Sequence, residues 1–420
     1  MRHWHAVRIL ALSLAVVVVS GPASAITLTV DYTYDTGNFF GGGNPQGPAA
    51  GMQAKASLEA AATFFSNILN DTFSAITVPP PYRSTFPGST GTVTWSWRQE
   101  FDHPSLESDV QITNPTIPAD QYIIYTGARS LPGITAGVGA VGGFSWSSNI
   151  SGDNSFTQGD INTINSTTSA FESAVERRNE PSGFARWGGT IAFDTDTATN
   201  WHFNHLTPPS GNVSDFFSVA VHELAHALGF GSQSSTSQTE WEELVGGSQF
   251  FGINAQAEFG GPVPLAPDLA HWTHGTMSVV YGGATTQETA MDPDIQNGTR
   301  KRFTELDAAA LRDIGWELIP LPGLDGDYNN NGVVDAADYV VWRKRLGQSV
   351  AIPNDATPGT VTAGDYTVWR ANFGKALISG SGAVLAAAPE PTSAWLALVA
   401  GVCVGLARRR PRLRGSDRRG

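Results

Sequence analysis

The sequence predicts an α+β fold from two observations. The strand candidates are gathered in the first half of the chain, and the strongest helical pattern follows them instead of alternating with them. A smaller and less regular region comes after that helix. We therefore expect an N-terminal twisted sheet, a central helix and an irregular C-terminal half, all within one domain of residues 26–319.

The predicted elements of this domain follow a simple order. A helix candidate at residues 50–69 comes directly after the first strand candidate. The strand candidates are residues 27–34, 92–99, 121–126 and 188–193.

The central helix is predicted over residues 215–229. Ser214 is the expected N-cap, and Gly229 with Gly231 provides a stop where the chain must turn sharply. Apolar positions at helical spacing are supplied by Val219, Val221, Leu224, Ala225 and Leu228.

This helix carries a His-Glu-x-x-His motif made of His222, Glu223 and His226. Residues i and i+4 lie on one helical face, so two imidazoles can bind one Zn²⁺. Glu223 can then act as general base and general acid in peptide hydrolysis by a zinc-activated water. The alternative is an ordinary buried helix with two hydrogen-bonded histidines. An apolar helix, however, has little reason to bury two His and a Glu together without compensation.

Zinc in a catalytic site needs a third protein ligand, with the fourth position open to water. Metzincin peptidases supply it in the pattern His-Glu-x-x-His-x-x-Gly-x-x-His, but this chain has Ser232 at the last position. Leishmanolysin-like metzincins instead take the third His from a distant His-Trp pair before a Met-turn, and this chain resembles that branch. The matching segments are residues 254–255, 259–265, 268–272, 290–293 and 303–316.

The resemblance implies a metzincin-like catalytic domain with His271 as the third zinc ligand. It also implies that Met291 forms the Met-turn, an apolar floor beneath the metal histidines. His274 is the substitute third ligand. The chain departs from its protozoan relatives because its only cysteine, Cys403, leaves no disulfide in the exported body. This departure favours a distant exported bacterial relative.

Other residues are candidates for roles in the same site. Another zinc clan uses a Glu from a later helix, and Tyr281 is a candidate to stabilise an oxyanion, although one loop tyrosine usually only packs. Three further histidines lack metal spacing to the helix and are expected to lie on loops or the surface. The glutamates are Glu240, Glu242 and Glu243, and the histidines are His103, His202 and His205.

Residues 327–338 follow the pattern of an EF-hand-type calcium loop. The final position is Asp instead of Glu, which resembles dockerin type I repeats, and a helix is expected over residues 339–346. The predicted calcium ligands are Asp327, Asn329, Asn331, Val333 through its carbonyl, Asp335 and Asp338.

A repeat of this unit is visible, since the segment at residues 338–343 recurs at residues 365–370. The loop before the second copy keeps only its last carboxylate, so calcium is not expected there. The resemblance implies a small α-helical EF-hand or dockerin-like module at residues 324–375. Such a module could bind a cohesin-like partner or only stabilise the chain.

The two ends have the features of targeting segments. Residues 1–25 resemble a secretory signal peptide, so the mature chain should begin near Ile26; the alternative is a buried N-terminal helix. After a linker at residues 376–388, residues 389–420 combine Pro-Glu-Pro, an apolar run and an Arg cluster, and they resemble a PEP-CTERM sorting tail. This implies sorting machinery as a partner and a secreted, envelope or cell-surface location. A retained single-pass anchor is the alternative.

The formal net charge is −13, and the body is more acidic still because much of the Arg lies in the two ends. Such a charge argues against nucleic acid as a partner. The predicted function is a secreted bacterial zinc-dependent endopeptidase acting on proteins or peptides. The alternative is an exported, non-catalytic zinc- and calcium-binding matrix or assembly protein, and the intact Glu223 favours the enzyme.

Overall fold

The computed structural model describes residues 26–177, 187–233, 239–283, 285–319, 324–329, 333–350, 352–355, 357 and 359–375. The fold is α+β, as the sequence predicts. The signal peptide, the linker and the sorting tail lie outside the described residues. In the described part of the chain, no helix has both the length and the apolar character needed to cross a bilayer.

The strands of the described residues, in chain order, are β1 (Thr27–Asp31), β2 (Tyr82–Arg83), β3 (Thr92–Asp102), β4 (Asp109–Thr113), β5 (Gln121–Arg129), β6 (Gly137–Val141), β7 (Gly143–Ser151), β8 (Gly188–Asp194), β9 (Trp201–His202), β10 (Ser214–Asp215), β11 (Val245–Gly246), β12 (Gln249–Phe250), β13 (Val263–Pro264), β14 (Met277–Val279) and β15 (Thr286–Glu288). The helices are α1 (Pro48–Ile68), α2 (Gln158–Glu176), α3 (Phe216–Ala227), α4 (Glu240–Glu243), α5 (Ile253–Phe259), α6 (Glu305–Asp313), α7 (Ala336–Arg345) and α8 (Ala363–Asn372).

The main sheet has the strand order β1-β5-β8-β6. The pairs β1–β5 and β5–β8 are parallel, whereas β6 runs antiparallel to β8 at the edge. Helices α1 and α3 pack on this sheet and on each other. A second, antiparallel sheet is built around β3, which pairs with β2, β4 and β7.

The alternation of side chains along β5 separates two hydrophobic cores. Tyr122 and Ile124 belong to the core shared with α1 and α3, whereas Tyr125 belongs to the core shared with β3 and α2. Successive strand residues point to opposite faces, so one buried strand serves both cores. The main sheet is therefore covered on both faces, and its edge strand β6 adjoins α3.

Beyond α3 the chain forms short strands and helices instead of a continuous sheet. Strands β11, β12 and β13 make one small sheet, and β14 pairs with β15. Helices α5 and α6 pack against each other. A separate small core holds the last part of the described chain, where α7 packs on α8; its buried residues are Tyr328, Trp342, Ile352 and Val361.

The element boundaries differ from the predicted ones for identifiable reasons. Helix α1 begins at Pro48, whose fixed φ suits the first helical turn. Strand β1 ends at Asp31, because its carboxylate accepts the Thr33 N–H at 2.7 Å and turns the chain. The helix expected at residues 339–346 begins at Ala336, because Asp335 is its N-cap.

The predicted N-cap of the central helix is wrong by one residue. Asp215 occupies that position in α3, and its side chain accepts the Ser218 N–H at 3.1 Å. Ser214 lies outside the helix in β10. The remaining three strand candidates are strands whose C-terminal ends extend one to three residues further, at Asp102, Arg129 and Asp194.

Candidate metal centre

Helix α3 is fixed at its N-terminus by a buried carboxylate. Asp215 is fully buried and also accepts the Ser218 hydroxyl at 2.7 Å. Arg300 donates two hydrogen bonds to it, from Nε at 2.9 Å and from Nη2 at 2.8 Å. This cap sets the start of the helix, and the helical geometry then places His222 and His226 on one face.

Each histidine of α3 has its Nδ1 atom against a backbone carbonyl. His222 Nδ1 lies 2.7 Å from the Ala290 oxygen, and His226 Nδ1 lies 2.8 Å from the Phe230 oxygen. Burial, followed by the neighbouring imidazoles, holds the pKa of His222 well below its usual range. The same causes lower the pKa of His226 to about 4. Both rings are therefore neutral near pH 7, with the proton on Nδ1.

His271 enters the same space from a loop. Its Nδ1 atom lies 2.8 Å from Asp268 Oδ2, so this ring also carries its proton on Nδ1. The neighbouring Trp272 is buried and donates its indole N–H to Asp307 at 3.0 Å, which fixes the chain next to His271.

The three Nε2 atoms form a nearly equilateral triangle. The separations are 3.1 Å between His222 and His226, 3.0 Å between His222 and His271, and 3.0 Å between His226 and His271. Because the Nδ1 atoms face oxygen acceptors, the Nε2 atoms are left to face one another, and a cation bound between them would be coordinated by all three rings. Three neutral imidazoles and an open position are the donor set of catalytic zinc, so these residues fit Zn²⁺.

The turn around Met291 is built from the same contacts. Met291 is fully buried, and its carbonyl accepts the Trp272 N–H at 3.0 Å. The preceding carbonyl, that of Ala290, accepts the His222 Nδ1 proton. This turn therefore links the chain around His222 with the chain around His271.

Asp307 of helix α6 accepts hydrogen bonds from the backbone of that turn. This role for Asp307 was not predicted from the sequence. Its buried carboxylate accepts the Ala290 N–H at 2.9 Å, the Met291 N–H at 3.3 Å and the Trp272 indole. It also accepts the Thr304 N–H and hydroxyl at 2.9 and 2.7 Å, in the capping box of α6. The capping-box spacing Thr-x-x-Asp was the available sequence signal.

Glu223 lies beneath the edge strand β6. A methyl group at Gly139 would come 2.2 Å from the Glu223 carbonyl, and one at Gly137 would come 2.7 Å from its Cγ and Oε1 atoms. Glycine at these two positions therefore lets α3 approach the strand. Burial raises the pKa of Glu223 to about 8, against the opposing effect of a hydrogen bond from the Gly139 N–H.

His274 does not join the triangle. It lies 3.4 Å from Asp292 and 3.2 Å from Asp294, measured from its Nδ1 atom to one oxygen of each carboxylate. Lys301 also pairs with Asp292, at 3.2 Å, so a positive charge already occupies this second group. The structure thus brings His271, and not His274, to His222 and His226.

The other candidate residues lie elsewhere. In the described chain, no glutamate of α4 belongs to a group with the three histidines. His205 stacks on Phe217, and burial lowers its pKa. Tyr281 is buried and donates its hydroxyl proton to the Ile319 carbonyl at 2.8 Å, which is a packing role.

The two remaining histidines have local partners. His103 Nδ1 accepts the Ser105 N–H at 3.1 Å, and His202 Nε2 lies 2.9 Å from the Thr207 carbonyl. Among the alternative glutamates, Glu242 completes the capping box of α4 with Thr239. His103 and Glu242 thus have partners within their own loop and helix, whereas His202 lies half-buried in strand β9, so the prediction of a loop or surface position was wrong for it.

The predicted calcium loop is described only in part. Asp327 and Asp338 are fully buried, and Asp338 accepts the N–H groups of Asn329 at 2.9 Å and Asp335 at 2.8 Å. Burial and the charges of Asp327 and Asp335 raise the pKa of Asp338 to about 6. The charges of Asp327 and Asp335 thus act on Asp338, but these three described carboxylates of this loop do not place one oxygen each within 4.8 Å of one another. Val333 is described beside it, and Asn331 lies outside the described residues.

The last carboxylate of the second loop has partners similar to those of Asp338. Asp365 is fully buried, and it accepts the Thr357 hydroxyl at 2.8 Å and the Thr362 N–H at 2.7 Å. The chain itself thus supplies donors to both oxygens of this carboxylate.

No family model, curated protein or solved structure matches this chain. The assignment of a function therefore depends on the geometry of the site and on its chemistry.

Proposed function

We propose that the chain is a zinc-dependent endopeptidase with a leishmanolysin-like metzincin site, in which His222, His226 and His271 hold Zn²⁺. The observation that carries the proposal is the triangle of Nε2 atoms at 3.0–3.1 Å, with Glu223 adjacent on the same helix. A bound zinc ion would polarise the scissile carbonyl and lower the pKa of the attacking water. The protein supplies the remaining functions.

Glu223 is the proposed catalytic proton carrier. A cation held by the neighbouring histidines would lower the pKa of its carboxyl group below the raised value that burial produces, so the carboxylate would be ionised near pH 7. Its oxygens can then accept a proton from the attacking water and return it to the leaving amine. Its burial under β6 restricts its rotamers and excludes bulk water from it.

Strand β6 is the proposed support for the substrate. It is the last strand of the main sheet, so one edge of its backbone pairs with β8 while the other edge borders no strand of the described sheet. An extended peptide can add to such an edge by main-chain hydrogen bonds. The proximity of Gly137 and Gly139 to Glu223 would bring that peptide next to the proton carrier.

We also infer that residues 324–375 form a dockerin-like module that binds calcium in its first loop. The sequence pattern of residues 327–338 supports calcium there, and so do the burial of Asp338 and the charges of Asp327 and Asp335, which raise its pKa, because a divalent cation relieves the repulsion among carboxylates. The second loop keeps only the last carboxylate of the pattern, Asp365, and this supports a second loop without calcium. A cohesin-like partner, sorting machinery and a secreted or cell-surface location remain proposals from the sequence.

The test combines zinc content with cleavage of an unfolded, fluorescently labelled protein substrate. We expect about one zinc per wild-type chain. Glu223→Gln should keep the zinc while its rate falls by about 10²- to 10⁴-fold. His271→Ala should lose both zinc and activity, whereas the control His274→Ala should keep both.

Two results would contradict the proposal in different ways. Zinc binding without any cleavage would favour the non-catalytic matrix or assembly protein. Cleavage and zinc content in His271→Ala equal to those of the wild type would place the third ligand elsewhere.

A further inference from the structure

The three imidazoles of the triangle differ in what receives their Nδ1 protons. His222 and His226 donate to neutral backbone carbonyls, whereas His271 donates to the carboxylate of Asp268. We propose that Asp268 is the positioning residue for the third zinc ligand, which it holds in the orientation that completes the triangle. This inference rests on the proposed zinc site and adds a residue that the sequence pattern does not identify.

The need for such a residue follows from where His271 lies. It belongs to none of the described helices and strands, so no repeating backbone geometry fixes its ring. Its side chain is 19 % exposed, so water competes for its Nδ1 proton. A hydrogen bond to an ionised acceptor is stronger than one to a carbonyl, and it can hold the ring against that competition.

Asp268 uses both oxygens for this purpose. Oδ1 accepts the Ala270 N–H at 3.0 Å, which closes a tight turn from Asp268 to Ala270. Oδ2 accepts the His271 proton at 2.8 Å. One carboxylate therefore shapes the turn and orients the ring that follows it.

The turn itself is held in place by its surroundings. Gln233 donates to the Asp268 carbonyl at 2.6 Å, and the Trp241 indole donates to the Leu269 carbonyl at 2.9 Å. Leu269 has a φ of 59°, a left-handed conformation that a non-glycine residue adopts only when its surroundings impose it. These contacts fix the backbone of Asp268, so its carboxylate is presented to His271 from a fixed position.

Closeness to the end of α3 adds a further constraint. A methyl group at Gly231 would come 2.3 Å from the Ala270 carbonyl, so the turn lies directly against the chain that leaves the helix. The contacts of Gln233, Trp241 and Gly231 therefore hold the turn in place relative to helix α3. Among the contacts of this turn, the one from Asp268 reaches the ring of His271.

The experiment compares Asp268→Ala and Asp268→Asn with wild type in the full chain. Asn keeps one acceptor oxygen for the turn but puts an amide N–H₂ opposite the His271 proton. The control is Asp294→Ala, because Asp294 is an aspartate of similar side-chain exposure, 57 % against 51 %, that contacts His274 instead. Three quantities are measured: zinc affinity by competition with a chelator, the visible absorption spectrum of the Co²⁺-substituted protein, and thermal unfolding of the metal-free protein.

We expect Asp268→Ala to bind zinc about 10- to 100-fold more weakly. The Co²⁺ spectrum should change, because it depends on the geometry of the ligands, while the unfolding midpoint of the metal-free protein stays near that of the wild type. Asp268→Asn should lose affinity in the same direction, and Asp294→Ala should match the wild type.

The possible contrary results separate the two proposals. If Asp268→Ala binds zinc like Asp294→Ala, the positioning role is overturned while the zinc site stands. If Asp268→Asn, which keeps the turn hydrogen bond, binds zinc like the wild type while Asp268→Ala loses zinc affinity and metal-free stability together, Asp268 only stabilises the turn, and the inference is also overturned. If His271→Ala binds zinc as tightly as the wild type, the proposed site itself fails, and this inference fails with it.

Discussion

The two halves of the candidate metal centre, one on helix α3 and one on the loop of His271, are held by different means. The rings of His222 and His226 are oriented by helix α3 and by the backbone carbonyls that accept their Nδ1 protons. His271 depends on a turn, a carboxylate and the buried Trp272. Regular secondary structure fixes side chains through a repeating backbone, whereas a loop must fix each one through separate contacts. Sequence spacing therefore identifies the first kind of ligand and not the second.

The largest effect is expected from Asp307→Ala, because Asp307 hydrogen-bonds to the chain beside both halves of the site. Asp307→Ala removes the acceptor for Ala290, Met291 and Trp272, and leaves buried donors without partners. We expect the free energy of unfolding to fall by about 3 kcal/mol or more, measured by urea denaturation of the metal-free protein. Zinc affinity should fall as well, because the acceptor for His222 and the chain beside His271 both lose their support.

The control for this substitution lies on the same helix. Glu305→Ala removes one exposed hydrogen bond, from the Gly282 N–H at 3.0 Å, and should change the unfolding free energy by about 1 kcal/mol or less. Equal urea midpoints for the two variants would show that Asp307 does not link the halves of the site.

A smaller change tests the helix-borne half without touching a ligand. In Gly137→Ala, the new methyl group would displace the Glu223 side chain, which lies 2.7 Å away at Cγ and Oε1. We expect kcat/KM to fall about 10- to 100-fold through misplacement of the carboxylate, with zinc content unchanged. Val138→Ala, on the opposite face of the same strand, should leave kcat/KM near the wild-type value. If kcat/KM of Gly137→Ala equals that of Val138→Ala, the position of Glu223 under β6 does not matter for catalysis.

The smallest expected effect concerns the predicted calcium loop at residues 327–338. The pKa of Asp338 is raised to about 6 in the folded chain, above the value of about 3.9 for unfolded Asp. The folded state therefore binds this proton more tightly. Without calcium, its contribution to stability should be complete below about pH 4 and lost as the pH rises through about 6.

Hydrogen exchange of residues 324–375, read by mass spectrometry in the full chain, measures this effect. Without calcium, protection should decrease from pH 4 to pH 7 after correction for the intrinsic exchange rate. With calcium, protection at pH 7 should be restored, because the ion binds the ionised carboxylates. The same pH profile with and without calcium would contradict calcium binding in this loop.

The parts of the fold that sequence could predict are those with strong local patterns. The α+β class, helix α3 and the strands at residues 92, 121 and 188 follow from periodicity and β-branched content. Strand β6 was missed because its sequence is rich in glycine, which weakens the strand pattern. Its residues Gly137 and Gly139 leave room for Glu223 of the packed helix α3, and this requirement comes from tertiary packing, which local sequence does not show.

Other omissions have the same cause. Helix α2 is largely polar, and its start was marked only by the capping box of Thr157 and Asp160. Asp268 looks like any turn aspartate in the sequence, because its role depends on the direction of one imidazole. His271 was predicted only through a resemblance, since nothing local distinguishes it from His274. The structure separates the two by placing a buried, lysine-paired carboxylate beside His274.

The position of Asp307 also has a consequence for the order of synthesis. The helix with His222 and His226 emerges from the ribosome well before the turn at Met291, and Asp307 comes later still. A nascent chain that ends before Asp307 lacks the carboxylate that accepts the N–H groups of Ala290 and Met291. The turn that carries the acceptor for His222 is therefore not yet stabilised. If the proposed activity holds, hydrolytic capacity arises only after nearly all of residues 26–319 have been made, and an incomplete chain is not a working protease.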